Sequence, residues 1–327
     1  MLNTTIILIA YNGDKWLPNC IQSLQNASNQ RLHLILVDNS GNSIIDQLDL
    51  SQFDFELLTT SKPLGFAEAN NFALAKASHV EEYVLFLNQD TMSPAGWIDT
   101  CTDTLSESLN VGALSPIIRN YDDTAWDPSF LDCLSSGQQQ LLEDENSEQI
   151  IEVVNAPAPA LFVRTDVLKV TGPFDPIYGS YYEDYDLCRR IREAGYSIAF
   201  TRDAFIRHYS GGSTQSKEQR HKRMAQIIRN RIIYEVRQSN QKRVQTLFNY
   251  FLKDFPRRLG RGIFNTPSSQ PPLITIKAYL ELLPVIHRLI SNRIDHKKWN
   301  EYLDTLQWNN IDFHSYTEGQ TNILGAL

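Results

Sequence analysis

Short, unbroken apolar runs that each end in a polar cluster constrain this chain more than any other feature of its first hundred residues. Ile6-Ile7-Leu8-Ile9-Ala10 runs into Tyr11-Asn12, Leu32 to Val37 ends at Asp38-Asn39-Ser40, and Tyr83 to Leu87 ends at Asn88-Gln89-Asp90. Strands that are apolar on both faces are buried on both, as in parallel sheets flanked by helices. Helix-like stretches lie between them, from about Lys15 to Gln25 and from Phe66 to Ala77, and Phe55 to Thr59 reads as a further short strand. This alternation predicts an α/β fold with a doubly wound sheet. In such sheets ligands gather at the carboxyl ends of the strands, so the three polar clusters are the first place to expect chemistry.

The rest of the chain is less regular. Ser115 to Ser147 shows a weak pattern with many polar residues, including Glu143, Asp144 and Glu145, and reads as an exposed insertion. Ile151 to Val154 and Ala160 to Val163 read as strands that close the sheet. A turn at Thr171-Gly172-Pro173-Phe174-Asp175 precedes the acidic cluster Glu183-Asp184-Tyr185-Asp186 and a helix ending near Gly195. Tyr196 to Phe200 and Ala204 to His208 read as two short strands. Beyond Ser216 the chain is helical and basic, with a Pro/Ser-rich break from Thr266 to Pro272.

With 327 residues the chain has room for one large or two modest domains with a full core. Its net charge of −8 argues against general binding to nucleic acid. The charge is uneven: residues 217–261 hold thirteen Lys and Arg against three acids, a local +10 that leaves −18 elsewhere. The same region carries Phe248, Tyr250, Phe251, Phe255 and Phe264. Basic and aromatic residues together suit either peripheral contact with an anionic membrane or a solvated helical bundle. The stretch from Leu273 to Ile290 is interrupted by Lys277, Glu281, Pro284, His287 and Arg288, so it does not suit a bilayer span. The start lacks a basic segment and its apolar run is too short for a leader. Cys20, Cys101, Cys133 and Cys188 show neither metal-site nor disulfide spacing. The expected location is therefore cytoplasmic, including the inner face of the cell membrane.

Several residues are candidates for chemistry. Asp90, with Asn88, follows a buried strand and can hold a hard cation whose other ligands are diphosphate oxygens, or else cap the next helix. Asp38, before Asn39-Ser40-Gly41, is by itself a turn signal. Gly65-Phe66-Ala67 with Asn70-Asn71 suits close approach of a nucleotide or phosphate to a helix start, or close helix packing. Glu183 and Asp184 are placed for general-base work, because neighbouring carboxylates raise one another's pKa. Asp186 turns toward Arg189 or Arg190 and reads as an ion-pair partner. His208, before a Gly/Ser loop at a strand end, is either structural or completes a metal site with Asp90.

In this order the clusters resemble the family-2 inverting glycosyltransferases of the GT-A fold, particularly the bacterial rhamnosyltransferase-like branch. The resemblance runs from about Thr5 to Tyr234 and includes Gly172-Pro173-Phe174-Asp175, Arg190, Gly195-Tyr196 and Arg229-Asn230. It implies a mixed Rossmann-like sheet in residues 1–216, with a donor half to about 115 and an acceptor half from about 150, and a helical extension in 217–327. It also implies a dTDP- or UDP-sugar donor and a glycan or lipid-linked acceptor. Tyr11, Asn12, Asp38, Gly65, Phe66, Asn70, Asn88 and Asp90 would face the donor. Asp90 and His208 would hold Mg²⁺ or Mn²⁺, and Asp184 would be the base, with Glu183 in support. Two departures stand out: Asn88-Gln89-Asp90 replaces an aspartate pair, and Ala156-Pro157-Ala158-Pro159-Ala160 replaces a Gly-rich strand. The competing expectation is a degenerate transferase that binds a nucleotide sugar or glycan without turnover. A nucleotidyltransferase is a third class, but the chain has no Gly-rich, Lys-bearing phosphate loop near its start.

Overall fold

The computed structural model describes residues 4–41, 43–144, 148–210, 216–239, 242–264 and 270–291. The expected Gly211-Gly212-Ser213 loop, Glu145, residues 265–269 of the Pro/Ser-rich break and residues 292–327 of the extension lie outside them. A nine-stranded sheet forms the centre. Its strands are β1 (Thr4–Ala10), β2 (His33–Asp38), β3 (Asp54–Thr59), β4 (Tyr83–Asn88), β5 (Thr91–Met92), β6 (Val111–Asn120), β7 (Ile150–Val153), β8 (Ala160–Arg164) and β9 (Ser197–His208). They lie in the order β3-β2-β1-β4-β8-β6-β9-β5, and β7 pairs with β9.

β1 pairs in parallel with β2 and β4, and β2 with β3, so this half is the predicted doubly wound unit. Beyond β4 the sheet turns antiparallel through β8, which makes the whole mixed. Helices α1 (Leu17–Leu24), α2 (Phe66–Lys76) and α3 (Trp97–Glu107) connect the strands. In α1 a proline in the first turn favours initiation, and Leu17, Cys20, Ile21 and Leu24 form a buried stripe at helical spacing.

The predicted exposed insertion at 115–147 is corrected by β6, which is buried along most of its length and lies between β8 and β9. A break in register beside Pro116 tolerates the missing N–H, and that proline is why the segment does not read as a strand. Helices α4 (Pro128–Leu131) and α5 (Ser136–Glu143) follow it. The same irregularity lets β9 run on as one strand where two short ones were expected.

Helices α6 (Thr165–Thr171) and α7 (Glu183–Glu193) lead to the long α8 (Lys217–Gln238). Then come α9 (Arg243–Asn249), a π-helical turn, α10 (Phe255–Ile263), α11 (Pro272–Leu282) and α12 (Ile286–Ser291). Their buried residues, among them Ile232, Ile233, Ala278, Tyr279 and Leu282, form a second core that also takes in Tyr178 from the loop before α7. The α8 side chains hold that loop. Asn230 donates its amide to the carbonyls of Tyr178, Ser180 and Tyr181 at 2.7, 2.8 and 2.7 Å. Arg237 pairs with Asp175 at 2.7 Å and with Asp186 at 3.4 Å. Removing one partner of a buried ion pair strands the other charge. Arg237→Met is therefore expected to lower the unfolding free energy by about 3 kcal/mol in urea titration, whereas Arg231→Met, at an exposed pair, should change it by less than about 1 kcal/mol.

Candidate active site

The three strand-end clusters converge, but not all of their side chains point outward. Asn12 adopts a left-handed conformation (φ 48°). Gln89, the middle residue of Asn88-Gln89-Asp90, turns inward and clamps the Tyr11 backbone, accepting from its N–H at 3.0 Å and donating to its carbonyl at 2.7 Å. A Cβ on Gly13 would lie 2.1 Å from the same Gln89 oxygen, so a larger residue here would displace the Gln89 clamp. Asp38 accepts from the backbone N–H groups of Ser40 and Gly41, making the turn its sequence signals. The Asn12 N–H donates to Ser40 Oγ at 2.9 Å and ties the β1 and β2 loops together.

The helix start at Gly65-Phe66-Ala67 is differently engaged. Ala67 N–H donates to the Gly179 carbonyl at 2.8 Å and Phe66 N–H to Ser180 Oγ at 3.0 Å. A Cβ on Gly65 would meet the Gly179 carbonyl oxygen at 2.9 Å. Asn70 is buried with its amide on the Phe66 carbonyl, and Asn71 exchanges two hydrogen bonds with the Phe174 backbone. Of the two readings of this stretch, these contacts are those of close packing. The small residues serve close packing of α2 against the loop that leads into α7, and the helix's first N–H groups are taken up there.

His208 lies beside Asp90, its Nε2 3.5 Å from Asp90 Oδ1 and 3.5 Å from the Asn88 amide. Its other ring nitrogen meets Asp127, a fully buried carboxylate, at 3.1 Å. Asp127 also accepts from Ser210 Oγ at 2.7 Å and caps α4 through the Ser129 N–H at 2.8 Å. A carboxylate on the far ring nitrogen, as Asp127 is here, is the usual outer partner of a metal-bound histidine, and it would leave Nε2 facing an ion beside Asp90. The donor set of one imidazole and one carboxylate fits a cation completed by phosphate oxygens. Asp127 escaped the sequence analysis because it falls in the supposed insertion; Asp127-Pro128, a capping residue before a first-turn proline, was the available signal. Trp16 and Tyr121 gather around Tyr209, the residue after His208, with the Trp16 and Tyr209 rings tilted at 4.0 Å between centroids and Lys15 above Trp16.

Glu183 and Asp184 open α7 directly after Tyr181 and Tyr182, both left-handed at φ 72°. Two such residues in succession are strained, and the Asn230 amide on the Tyr181 carbonyl helps to hold them. Asp184 accepts from its neighbour's N–H at 2.9 Å and from Ala158 N–H at 3.2 Å. The Ala/Pro segment thus has a defined place: Ala158 reaches Asp184, while the Pro159 carbonyl accepts from Asn88 N–H at 2.9 Å. Two consecutive residues join the acidic pair to the Asn88 strand end. Burial pushes the Asp184 carboxyl up to about 6, against the lowering effect of its backbone hydrogen bonds. Burial and the adjacent Asp184 push Glu183 well above the usual carboxylate range, and one of its oxygens is buried with no hydrogen-bond partner. Asp186 is the ion-pair partner expected from sequence. Although burial opposes its charge, Arg189, Arg190 and Arg237 hold it well below that range.

The mixed nine-stranded sheet with its flanking helices is a GT-A type fold. A sequence profile of "Glycosyl transferase family 2" matches residues 5–158, and that part of the chain is a domain of this family. An N-acetylglucosaminyl-diphospho-decaprenol L-rhamnosyltransferase of Mycobacterium tuberculosis is 24% identical over 235 residues, 64% of this chain and 76% of that protein. The crystal structure of S. aureus TarS 1–349 superposes with a TM-score of 0.53 at 17% identity, over 97% of this chain and 92% of that one. The mannosyltransferase PcManGT from Pyrobaculum calidifontis, in complex with GDP-Man and Mn²⁺, does so with a TM-score of 0.52 at 14% identity, over 94% and 85%.

The histidine gives a pH signature. Burial opposes its charge, but the hydrogen bonds and charges of Asp127 and Asp90 outweigh this and push His208 up to about 9 from an ordinary 6.5. A folded pKa above the unfolded one stabilises fully below about 6.5, and this stabilisation is lost as pH rises through about 9. In chelator, the melting temperature is expected to fall across that window, and His208→Gln should flatten the fall.

Proposed function

We propose that the chain is an inverting transferase moving rhamnose or another hexose from a dTDP- or UDP-sugar to a hydroxyl of a glycan or lipid-linked acceptor in bacterial cell-surface polysaccharide synthesis. The observation that carries this reading is the buried acidic pair Glu183/Asp184, joined through Ala158-Pro159 to the strand end bearing Asp90. The Mycobacterium relative is an N-acetylglucosaminyl-diphospho-decaprenol L-rhamnosyltransferase, which supports rhamnose and a lipid-diphosphate acceptor, and TarS has been crystallised with UDP and UDP-GlcNAc. Residues 1–216 are assigned to catalysis, with donor and acceptor halves, and 217–327 to the helical extension.

Tyr11, Asn12, Asp38 and Asn88 border the donor, with Gly65, Phe66 and Asn70 supporting the pocket wall from behind. Asp90 and His208 would hold Mg²⁺ or Mn²⁺, which supplies charge neutralisation for the departing diphosphate. Asp184 takes the proton of the acceptor hydroxyl while that oxygen bonds to the anomeric carbon. The bond to the nucleoside diphosphate breaks on the opposite face, inverting the centre. Glu183, kept protonated, leaves Asp184 as the ionised member of the pair.

Asp184→Asn keeps size and most hydrogen bonds but cannot accept the proton. Turnover should fall by roughly 10²-fold or more with donor affinity near normal. In the unaltered protein kcat/KM should rise with pH through about 6 as the Asp184 carboxyl ionises. Near-normal turnover in Asp184→Asn sinks the assignment. Asp127→Asn should weaken Mn²⁺ binding by about 10- to 100-fold in direct metal titration.

Attachment to an anionic membrane is the proposed role of the extension. Phe248, Leu252, Ile263, Phe264 and Leu273 are exposed large apolar residues among its Lys and Arg side chains. No helix among the described residues is long and apolar enough to cross a membrane. The protein should pellet with anionic liposomes at low salt and be released by high salt; failure to pellet rules the attachment out.

A further inference from the structure

The amino-terminal ends of β1, β2 and β3, opposite the end that bears Asp90, gather side chains that glycosyl transfer does not use. His33 opens β2, Glu56 lies on β3 beside it, and His79 sits in the loop before β4. His33, Glu56 and His79 each place a ligand atom within 4.8 Å of the other two. We propose that they form a second metal site, for Zn²⁺ or a similar borderline divalent ion, that clips the starts of these strands to the loop before β4.

The chemistry of the three side chains supports this. His33 Nε2 lies 3.1 Å from Glu56 Oε1, close to the roughly 3.3 Å between ligands of a tetrahedral zinc with bonds of about 2.0–2.2 Å. His33 is buried, and its other nitrogen lies 3.1 Å from Thr5 Oγ1, which fixes the ring. Thr5 Oγ1 also accepts from Glu81 N–H at 2.9 Å, so the hydroxyl is held in turn. Ser78 donates to Glu56 through its N–H at 3.0 Å and its hydroxyl at 2.6 Å. Oriented partners of this kind, here behind His33 and Glu56, are the mark of a metal site's second shell.

His79 stacks on His33 with ring centroids 4.1 Å apart and planes 12° from parallel. His79 is half exposed; its Nε2 lies 3.3 Å from Glu81 Oε1 and its Nδ1 3.0 Å from Ser78 Oγ, and binding would exchange one of these contacts for the ion. A water would take the fourth position. Two imidazoles with one carboxylate select Zn²⁺ over Mg²⁺, whereas Asp90 with diphosphate oxygens suits Mg²⁺ or Mn²⁺. The site does not rest on the proposed transfer mechanism.

The test uses the full chain carrying Asp90→Ala and His208→Ala, so that the proposed catalytic cation cannot contribute. Chelator-stripped protein is titrated with Zn²⁺ against a chromophoric chelator, and its melting temperature is followed. The expected result is one Zn²⁺ bound per chain with a rise in melting temperature, and no comparable rise with Mg²⁺. His33→Ala would empty a buried position, so the exposed His79 is replaced instead. His79→Ala and Glu56→Gln should each weaken Zn²⁺ binding by more than about tenfold, the loss that removing even an outer-shell partner produces. His79→Ala on its own should leave glycosyl transfer unchanged. Failure to bind Zn²⁺ stoichiometrically, or binding that neither substitution weakens, overturns the proposal.

Discussion

The fully buried carboxylate of Asp186 is the interaction on which the active end of this molecule depends. Arg189 and Arg190, one turn along α7, meet it at 2.9 Å each, and Arg237 reaches it from α8 at 3.4 Å. Arg190 then bonds the carbonyls of Thr171, Gly172 and Pro173, so the loop after α6 is fastened to the same point. A charge buried without such partners would be prohibitive. Its neutralisation therefore requires α6, α7 and α8 to be in register, and Glu183 and Asp184, one turn from Asp186, are positioned as a consequence.

The carboxylates within this one turn of helix are set apart by environment. Asp186 faces arginines and stays ionised, whereas Glu183 and Asp184 face backbone N–H groups and each other, and burial raises both. This divergence is how neighbouring acids take separate roles. His208 follows the same logic from the other side of the site, where a buried acid orients the imidazole toward Asp90.

The C-terminal helices are structurally part of this arrangement. Asn230 supports the two left-handed tyrosines ahead of α7, and Tyr178 from that loop belongs to the helices' own core. The basic charge read from sequence in this region is thus divided. Arg237 serves the interior, while residues such as Arg231 remain at the surface in helical ion pairs.

Local pattern alone determined the parallel half of the sheet, because unbroken apolar runs bounded by turn residues have few other ways to be buried. It also picked out the strand-end clusters and the acidic helix start, whose residue types carry their chemistry with them. It failed at β6, where Pro116 hides a central strand, and so it missed Asp127, whose part depends on meeting a histidine 81 residues away. It could not tell that Gln89 turns inward or that the Gly65 helix start is engaged by Gly179 and Ser180. Side-chain direction and long-range pairing are set by packing, in which groups distant in sequence compete for the same hydrogen bonds. Only the tertiary structure decides that competition.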